Sequence, residues 1–119
     1  DDWWFPFQYG NPANPQAHYE STGPEIWRDC PEVTHFITGL GTAGTIIGVG
    51  RFLKEQNPHV SVWAIEPPTG EMVDGLKNFD EGFVPPVFEP PAVDPSPVEG
   101  VPHINLDSAL EFLLGDRLR

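Results

Sequence analysis

Apolar stretches along this chain alternate with breaks marked by glycine and proline, and their periods predict a strand, a helix and a second strand in the middle of the sequence. Val33-Thr34-His35-Phe36-Ile37-Thr38 is short, β-branched and largely apolar, the pattern of a buried parallel strand. From Thr45 to Gln56, Ile46, Ile47, Val49, Phe52 and Leu53 fall on one broad side of a helix. Gly48 and Gly50 each weaken that helix by up to ~1 kcal/mol relative to Ala, and their expected role is to let it lie close to the sheet. Asn57-Pro58 ends it, and Val60 to Ile65 reads as the next strand. Strand, helix and strand form a βαβ unit, so the fold class is α/β with a parallel sheet, and ligands bind at the carboxyl edge of such a sheet.

Upstream, Asn14-Pro15 is a good helix start, with Asn14 as cap, and Thr22-Gly23-Pro24-Glu25 has the spacing of a capping box. This predicts either one helix kinked near Pro24 or a short helix followed by another from Gly23 to Asp29. The aromatic cluster Trp3, Trp4, Phe5 and Phe7 is expected to pack against another surface. Seven prolines between Pro85 and Pro102 predict an extended surface linker. Beyond it, Leu106, Ala109, Leu110, Leu113 and Leu114 recur at helical spacing. The expected domain order is thus 1–84 for the ligand-binding part, 85–102 for the linker and 103–119 for an amphipathic helix.

The chemistry is concentrated between the first strand and its helix. Gly39-Leu40-Gly41-Thr42-Ala43-Gly44-Thr45 supplies three glycines for a sharp turn and close ligand approach, followed by a helix start whose N–H groups and dipole attract an anion. The hydroxyls of Thr42 and Thr45 add two donors. Such a loop suits either a dinucleotide, with Glu66 at the end of the next strand as the ribose acid ~20 residues on, or a cofactor with a single phosphomonoester. The loop alone does not separate them.

The flanking residues do. Gln8-Tyr9-Gly10-Asn11-Pro12-Ala13-Asn14-Pro15, then His18-Tyr19 and Thr22-Gly23-Pro24-Glu25-Ile26-Trp27, precede the loop; Glu66-Pro67 and Glu81-Gly82-Phe83-Val84-Pro85 follow it. In this order the segments resemble the cysteine synthase and O-phosphoserine sulfhydrylase family of pyridoxal-phosphate enzymes, which has the tryptophan synthase beta-like fold. The likeness runs over about residues 5 to 88, and Ala43 stands where the family usually has glycine. A dinucleotide domain would open with its first strand and glycine loop, without this upstream segment.

The resemblance implies pyridoxal phosphate as cofactor, with its phosphate on Gly41, Thr42, Ala43, Gly44 and Thr45. It implies a transferase of cysteine biosynthesis, in which a sulfur donor replaces the ester group of O-phosphoserine or O-acetylserine. Gln8 falls on a glutamine that holds the substrate carboxylate; a surface glutamine capping a turn is the plain alternative. Lys77 falls near the place of a basic residue, commonly Arg, in members that use O-phosphoserine, where a cation could neutralise the phosphate. A solvated lysine on an acidic surface is its alternative.

The family's Schiff-base lysine, its Ser/Asn/Thr substrate loop and its contact to the pyridine nitrogen have no match in this sequence, since neither Lys54 nor Lys77 aligns with that lysine. No catalytic residue is therefore assigned, and the chain by itself is expected to be inactive. It begins at Asp1 without methionine, which leads to the expectation of a fragment or processed product. Two functions stay open: a piece of a cysteine synthase-like enzyme completed by its missing remainder or a homodimer mate, or a non-enzymatic phosphate-binding or partner-recruiting module of the same fold.

Composition narrows the partners. A net charge of −12 over 119 residues disfavours nucleic acid and anionic membrane. No apolar run reaches the ~18 residues of a membrane span. A single cysteine, Cys30, fits a reducing cytoplasm and reads as buried filler. His18, His35, His59 and His103 lack metal spacing; His18 is expected to face the helix surface and His35 to pack within its strand. The resemblance implies a small amino-acid substrate as a further partner.

Overall fold

A computed structural model describes residues 2–89 and 92–94. The predicted unit is present. Strand β1 (His35–Gly39) and strand β2 (Ser61–Ile65) pair in parallel, with His35 opposite Ser61 and Gly39 opposite Ile65. Helix α3 (Gly44–Gln56) connects them; α1 (Ala13–Ala17) and α2 (Gly23–Asp29) precede them in the chain.

Ile46, Ile47, Val49 and Leu53 of α3 are almost wholly buried with Leu40, Val60 and Val62. Each such side chain contributes roughly 1.5–3 kcal/mol when removed from water, so this interface fixes the helix on the sheet. On the opposite sheet face Trp63 is buried against half-buried Ile37 and Ile65. His35 is exposed and meets the Trp63 ring edge to face at 4.9 Å, so it lies over the sheet rather than inside it.

The amino-terminal stretch holds a short helix followed by a second from Gly23 to Asp29, the second of the two expectations, but the joint between them is itself helical. Between α1 and α2, His18–Thr22 forms a π-helical turn, and the backbone stays helical through Thr22 and Gly23. Thr22 therefore makes no cap, and Pro24 sits harmlessly in the first turn of α2. Asn14 does not cap α1 either. The Ala13 N–H donates to Asn11 Oδ1 at 3.0 Å, while the Asn14 side chain turns inward.

Gly48 serves helix–helix rather than helix–sheet contact: a side chain there would strike the Pro15 carbonyl, and its Cβ would lie 2.7 Å from His18 Cβ. Gly50 does face the sheet: a Cβ there would lie 3.1 Å from Val62 Cγ1. Tyr19 fastens the π turn to α3. Its hydroxyl donates to Glu55 at 2.5 Å, and its ring lies edge to face with Phe52.

The start of the stretch expected to be a surface linker packs on the body. Pro85, Val87 and Ala92 are buried. The Asp94 N–H donates to Val62 O at 2.8 Å, and its carboxylate accepts from Val62 N–H and Lys54, so residues 92–94 run along the edge of β2. The expected linker residues 95–102 and helix 103–119 lie outside the described residues. Trp3, Trp4 and Phe5 are 92%, 84% and 79% exposed, so the aromatic cluster finds no cover within the described residues.

Candidate functional site

The end of β1 and the start of α3 are held apart by a tight loop. Leu40 is fully buried, and its carbonyl accepts from the Lys77 N–H at 2.6 Å while its own N–H donates to Ile65 O. This pins the loop to the segment 75–77. Gly41 is required by that contact, since its Cβ would come 2.5 Å from Gly75 O. Ala43 makes the final turn into α3 in the left-handed region, with φ 72° and ψ −3°. Among Gly41, Thr42, Ala43, Gly44 and Thr45, the residue with positive φ is therefore Ala43, and glycine at position 44 answers to a different constraint.

That constraint is Asn14. A side chain on Gly44 would collide with the Asn14 amide. Asn14 Nδ2 donates to Gln8 O and to Thr42 Oγ1, each at 2.9 Å. The carbonyl of Gln8 can only accept, which fixes the amide orientation and makes the same nitrogen a donor to Thr42. Thr42 Oγ1 also accepts from Gly44 N–H at 3.3 Å. With acceptance satisfied from behind, the single hydroxyl proton of Thr42 is left to point into the hollow in front. Asn14 thus joins the Gln8 segment to the loop, a role that local spacing concealed because Thr42 is 28 residues away.

The hollow, about 380 Å³, is half open and lined by Gln8, Tyr9, Gly41, Thr42, Ala43 and Thr45, with Ile46, Gly39, Gly75 and Leu76 completing it. Gly44 faces Asn14 instead. The intrahelical ladder begins with Ile47 N–H donating to Ala43 O at 3.0 Å, so the N–H groups of Thr45 and Ile46 lie ahead of it. Backbone donors, two hydroxyls and the helix dipole suit a phosphate; the dipole alone contributes about 0.3–1 kcal/mol. No charged side chain lines the hollow.

Lys77 lies elsewhere. It is exposed and lines a second hollow of about 520 Å³ with Glu71, Asp74, Glu81, Met72 and Phe83. The two hollows share Tyr9, Gly75 and Leu76, so Gln8 and Lys77 occupy neighbouring compartments rather than one. Lys54 is committed to Asp94 and Val60 O. It lies nine residues after Thr45 on α3, about 14 Å along the axis from the cradle at 1.5 Å per residue.

A family model described as pyridoxal-phosphate dependent enzyme matches residues 1–104. The chain belongs to this family. It is similar to cysteine synthase B of Pseudomonas aeruginosa, 43% identical over 88 residues that make up 73% of this chain and 29% of the relative. It is also similar to cysteine synthase 3 of Caenorhabditis elegans, 47% identical over 58% of this chain and 21% of the relative. Among solved structures, O-ureido-L-serine synthase superposes with a TM-score of 0.70 at 36% identity, covering 77% of this chain and 32% of that one. The cysteine synthase of Entamoeba histolytica does so with a TM-score of 0.65 at 31% identity, covering 87% and 31%. The chain thus spans about a third or less of the length of these relatives, and its βαβ unit is a fragment of the cysteine synthase fold.

The other titratable groups singled out in the sequence take different places from those expected. Glu66 is buried and accepts from the Phe79 N–H at 3.2 Å, which anchors the turn Phe79–Glu81 and withdraws it from the ribose-binding role. Cys30 is half-buried rather than buried filler, and desolvation, reinforced by Glu32, pushes its thiol pKa up, away from nucleophilic use. His18 faces α3, with Nε2 3.3 Å from Thr45 Oγ1, not the helix surface. Among the described residues no group of His, Cys, Asp and Glu could hold a metal, and no helix is long and apolar enough to cross a membrane.

Proposed function

We propose that this chain provides the cofactor-phosphate cradle and part of the substrate wall of a cysteine synthase-like enzyme that replaces the ester group of O-phosphoserine or O-acetylserine with a sulfur donor. The observation that supports this is that Thr42, Ala43, Thr45 and Ile46, at the start of α3, line one hollow together with Gln8 and with no charged side chain. When bound, pyridoxal phosphate supplies the electron sink for the β-replacement. In this reading Gly41, Thr42, Ala43 and Thr45 hold its phosphate, Gly44 keeps the loop seated on Asn14, and Gln8 donates its amide to the substrate carboxylate. Lys77, in the adjoining hollow, meets the charged end of a phosphorylated substrate.

In this reading the described residues hold and orient ligand, and neither Lys54 nor Lys77 takes the place of the family's Schiff-base lysine, so turnover requires a surface beyond these residues. The exposed Trp3, Trp4 and Phe5 support such a covering surface, supplied by the enzyme's remainder or a homodimer mate. A cytoplasmic setting belongs to the same reading.

The test uses pyridoxine 5′-phosphate, which lacks the aldehyde and so cannot form imines with lysines. Titrated into the 119-residue chain, it should shift the amide resonances of Thr42 to Ile46, and inorganic phosphate should compete. Shifts scattered over the lysines, or equal shifts with unphosphorylated pyridoxine, would refute the cradle.

A further inference from the structure

His18 stands behind the cradle as Asn14 does, but with a different freedom. Its Nδ1 lies 2.9 Å from Thr22 Oγ1 and its Nε2 3.3 Å from Thr45 Oγ1. Thr42 receives its hydrogen bond from an amide nitrogen that can only donate. Thr45 instead meets a ring nitrogen that is a donor or an acceptor according to where the imidazole proton sits. A hydroxyl has one proton. If Nε2 is bare, Thr45 gives that proton to the ring and presents only lone pairs to the hollow, which repel an anion. If Nε2 carries hydrogen, the ring donates to Thr45 Oγ1 and the hydroxyl proton is free to turn toward the ligand.

We propose that His18 is a positioning residue that sets the donor direction of Thr45, so that an anion in the cradle selects the ring form bearing hydrogen on Nε2. This rests on the cradle reading given above. The ring is well placed for the task. The π turn carries it against α3, the absent side chain of Gly48 admits its Cβ, and Tyr19, the next residue, is tied to Glu55. Thr22 accommodates either ring form, since its hydroxyl accepts from an Nδ1–H or donates to a bare Nδ1. Both the neutral Nε2–H tautomer and the imidazolium satisfy the requirement; the Nδ1–H tautomer does not.

The experiment titrates inorganic phosphate into the 119-residue chain and reads the ring nitrogens of His18 by NMR. In the phosphate-bound state Nε2 should give the signature of a protonated nitrogen; a bare Nε2 in that state overturns the proposal. A mutant cycle gives a second readout. His18→Leu should weaken phosphate binding roughly fivefold when Thr45 is present, the size of one ordinary hydrogen bond, and less than about twofold when Thr45→Val has already removed the hydroxyl. Equal losses in the two backgrounds would make His18 a packing residue only and overturn the proposal. Should a variant fail to fold, the ring signature of the wild-type chain decides alone. If the wild-type chain binds no phosphate, the cradle reading falls and this proposal with it; binding without the ring signature or the coupling removes this proposal only.

Discussion

Asn14 occupies the space that a side chain on Gly44 would need, and from there its amide bridges Gln8 O and Thr42 Oγ1. Glycine at position 44 is thus set by a neighbour inside the protein, not by the ligand or by a positive φ. The expected outcome of Gly44→Val is a loss of about 1–3 kcal/mol from overpacking, together with loss of phosphate affinity, because the displaced amide no longer holds Thr42. Asn14→Gly in the Gly44→Val background should recover part of the stability without the affinity. Denaturant unfolding and phosphate titration of the two variants check this; affinity restored along with stability would show that the amide does not orient Thr42.

Ala43 offers a contrast, since it adopts the left-handed conformation that glycine takes most readily. That conformation costs an L-residue roughly 1–2 kcal/mol, but the methyl group is only 3% exposed and its burial returns about 0.8 kcal/mol. The balance predicts that Ala43→Gly stabilises the chain by about 0.2–1.2 kcal/mol. Ala43→Val, β-branched at positive φ, should destabilise by about 1–3 kcal/mol. Equilibrium unfolding of both variants measures this, and a destabilising Ala43→Gly would mean that methyl packing outweighs backbone strain.

The strand, loop, helix and strand were legible because each is encoded within a window of a few residues: β-branched runs, a glycine cluster and a helical apolar stripe. The position of the glycine loop between β1 and α3 was legible for the same reason. What escaped were pairings between distant segments. Asn14 looked like a cap because Asn-Pro is a local start signal, and nothing local reveals an acceptor on Thr42. His18 was placed on the outer surface because its contact requires Gly48, 30 positions later, to lack a side chain. Pro85 and Pro86 lie outside helix and strand, yet proline is also apolar, and Pro85 is buried. Backbone irregularity says nothing about burial.

Asp94 closes the edge of β2 by accepting from Val62 N–H at 2.7 Å and from Lys54 Nζ at 2.7 and 2.9 Å. Val62 is fully buried, so its N–H has no water to turn to. Asp94→Ala should cost about 1–3 kcal/mol and accelerate hydrogen exchange of the Val62 amide. Lys54→Met, which keeps the apolar stem, should cost less, because the backbone donor still holds the carboxylate. Unchanged protection of Val62 in Asp94→Ala would show that residues 92–94 do not seal the strand edge.

Lys77 carries the last prediction, which concerns substrate choice in an assembled enzyme containing this segment. Its hollow is otherwise acidic, with Glu71, Asp74 and Glu81 in the lining. A phosphate monoester brings nearly two negative charges and would be repelled there unless a cation faces it. Lys77 is exposed, so its charge is screened until a ligand covers it; a covered Lys–phosphate contact is then worth ~1.5–3 kcal/mol, about one to two decades in kcat/KM. Lys77→Ala should therefore lower kcat/KM for O-phosphoserine by about that factor and leave O-acetylserine nearly unchanged. Lys77→Arg should retain the preference, because a guanidinium grips phosphate through two parallel hydrogen bonds. An unchanged ratio of the two specificities in Lys77→Ala would reduce Lys77 to a surface charge, and the phosphate of the substrate would have to be met by a residue outside this segment.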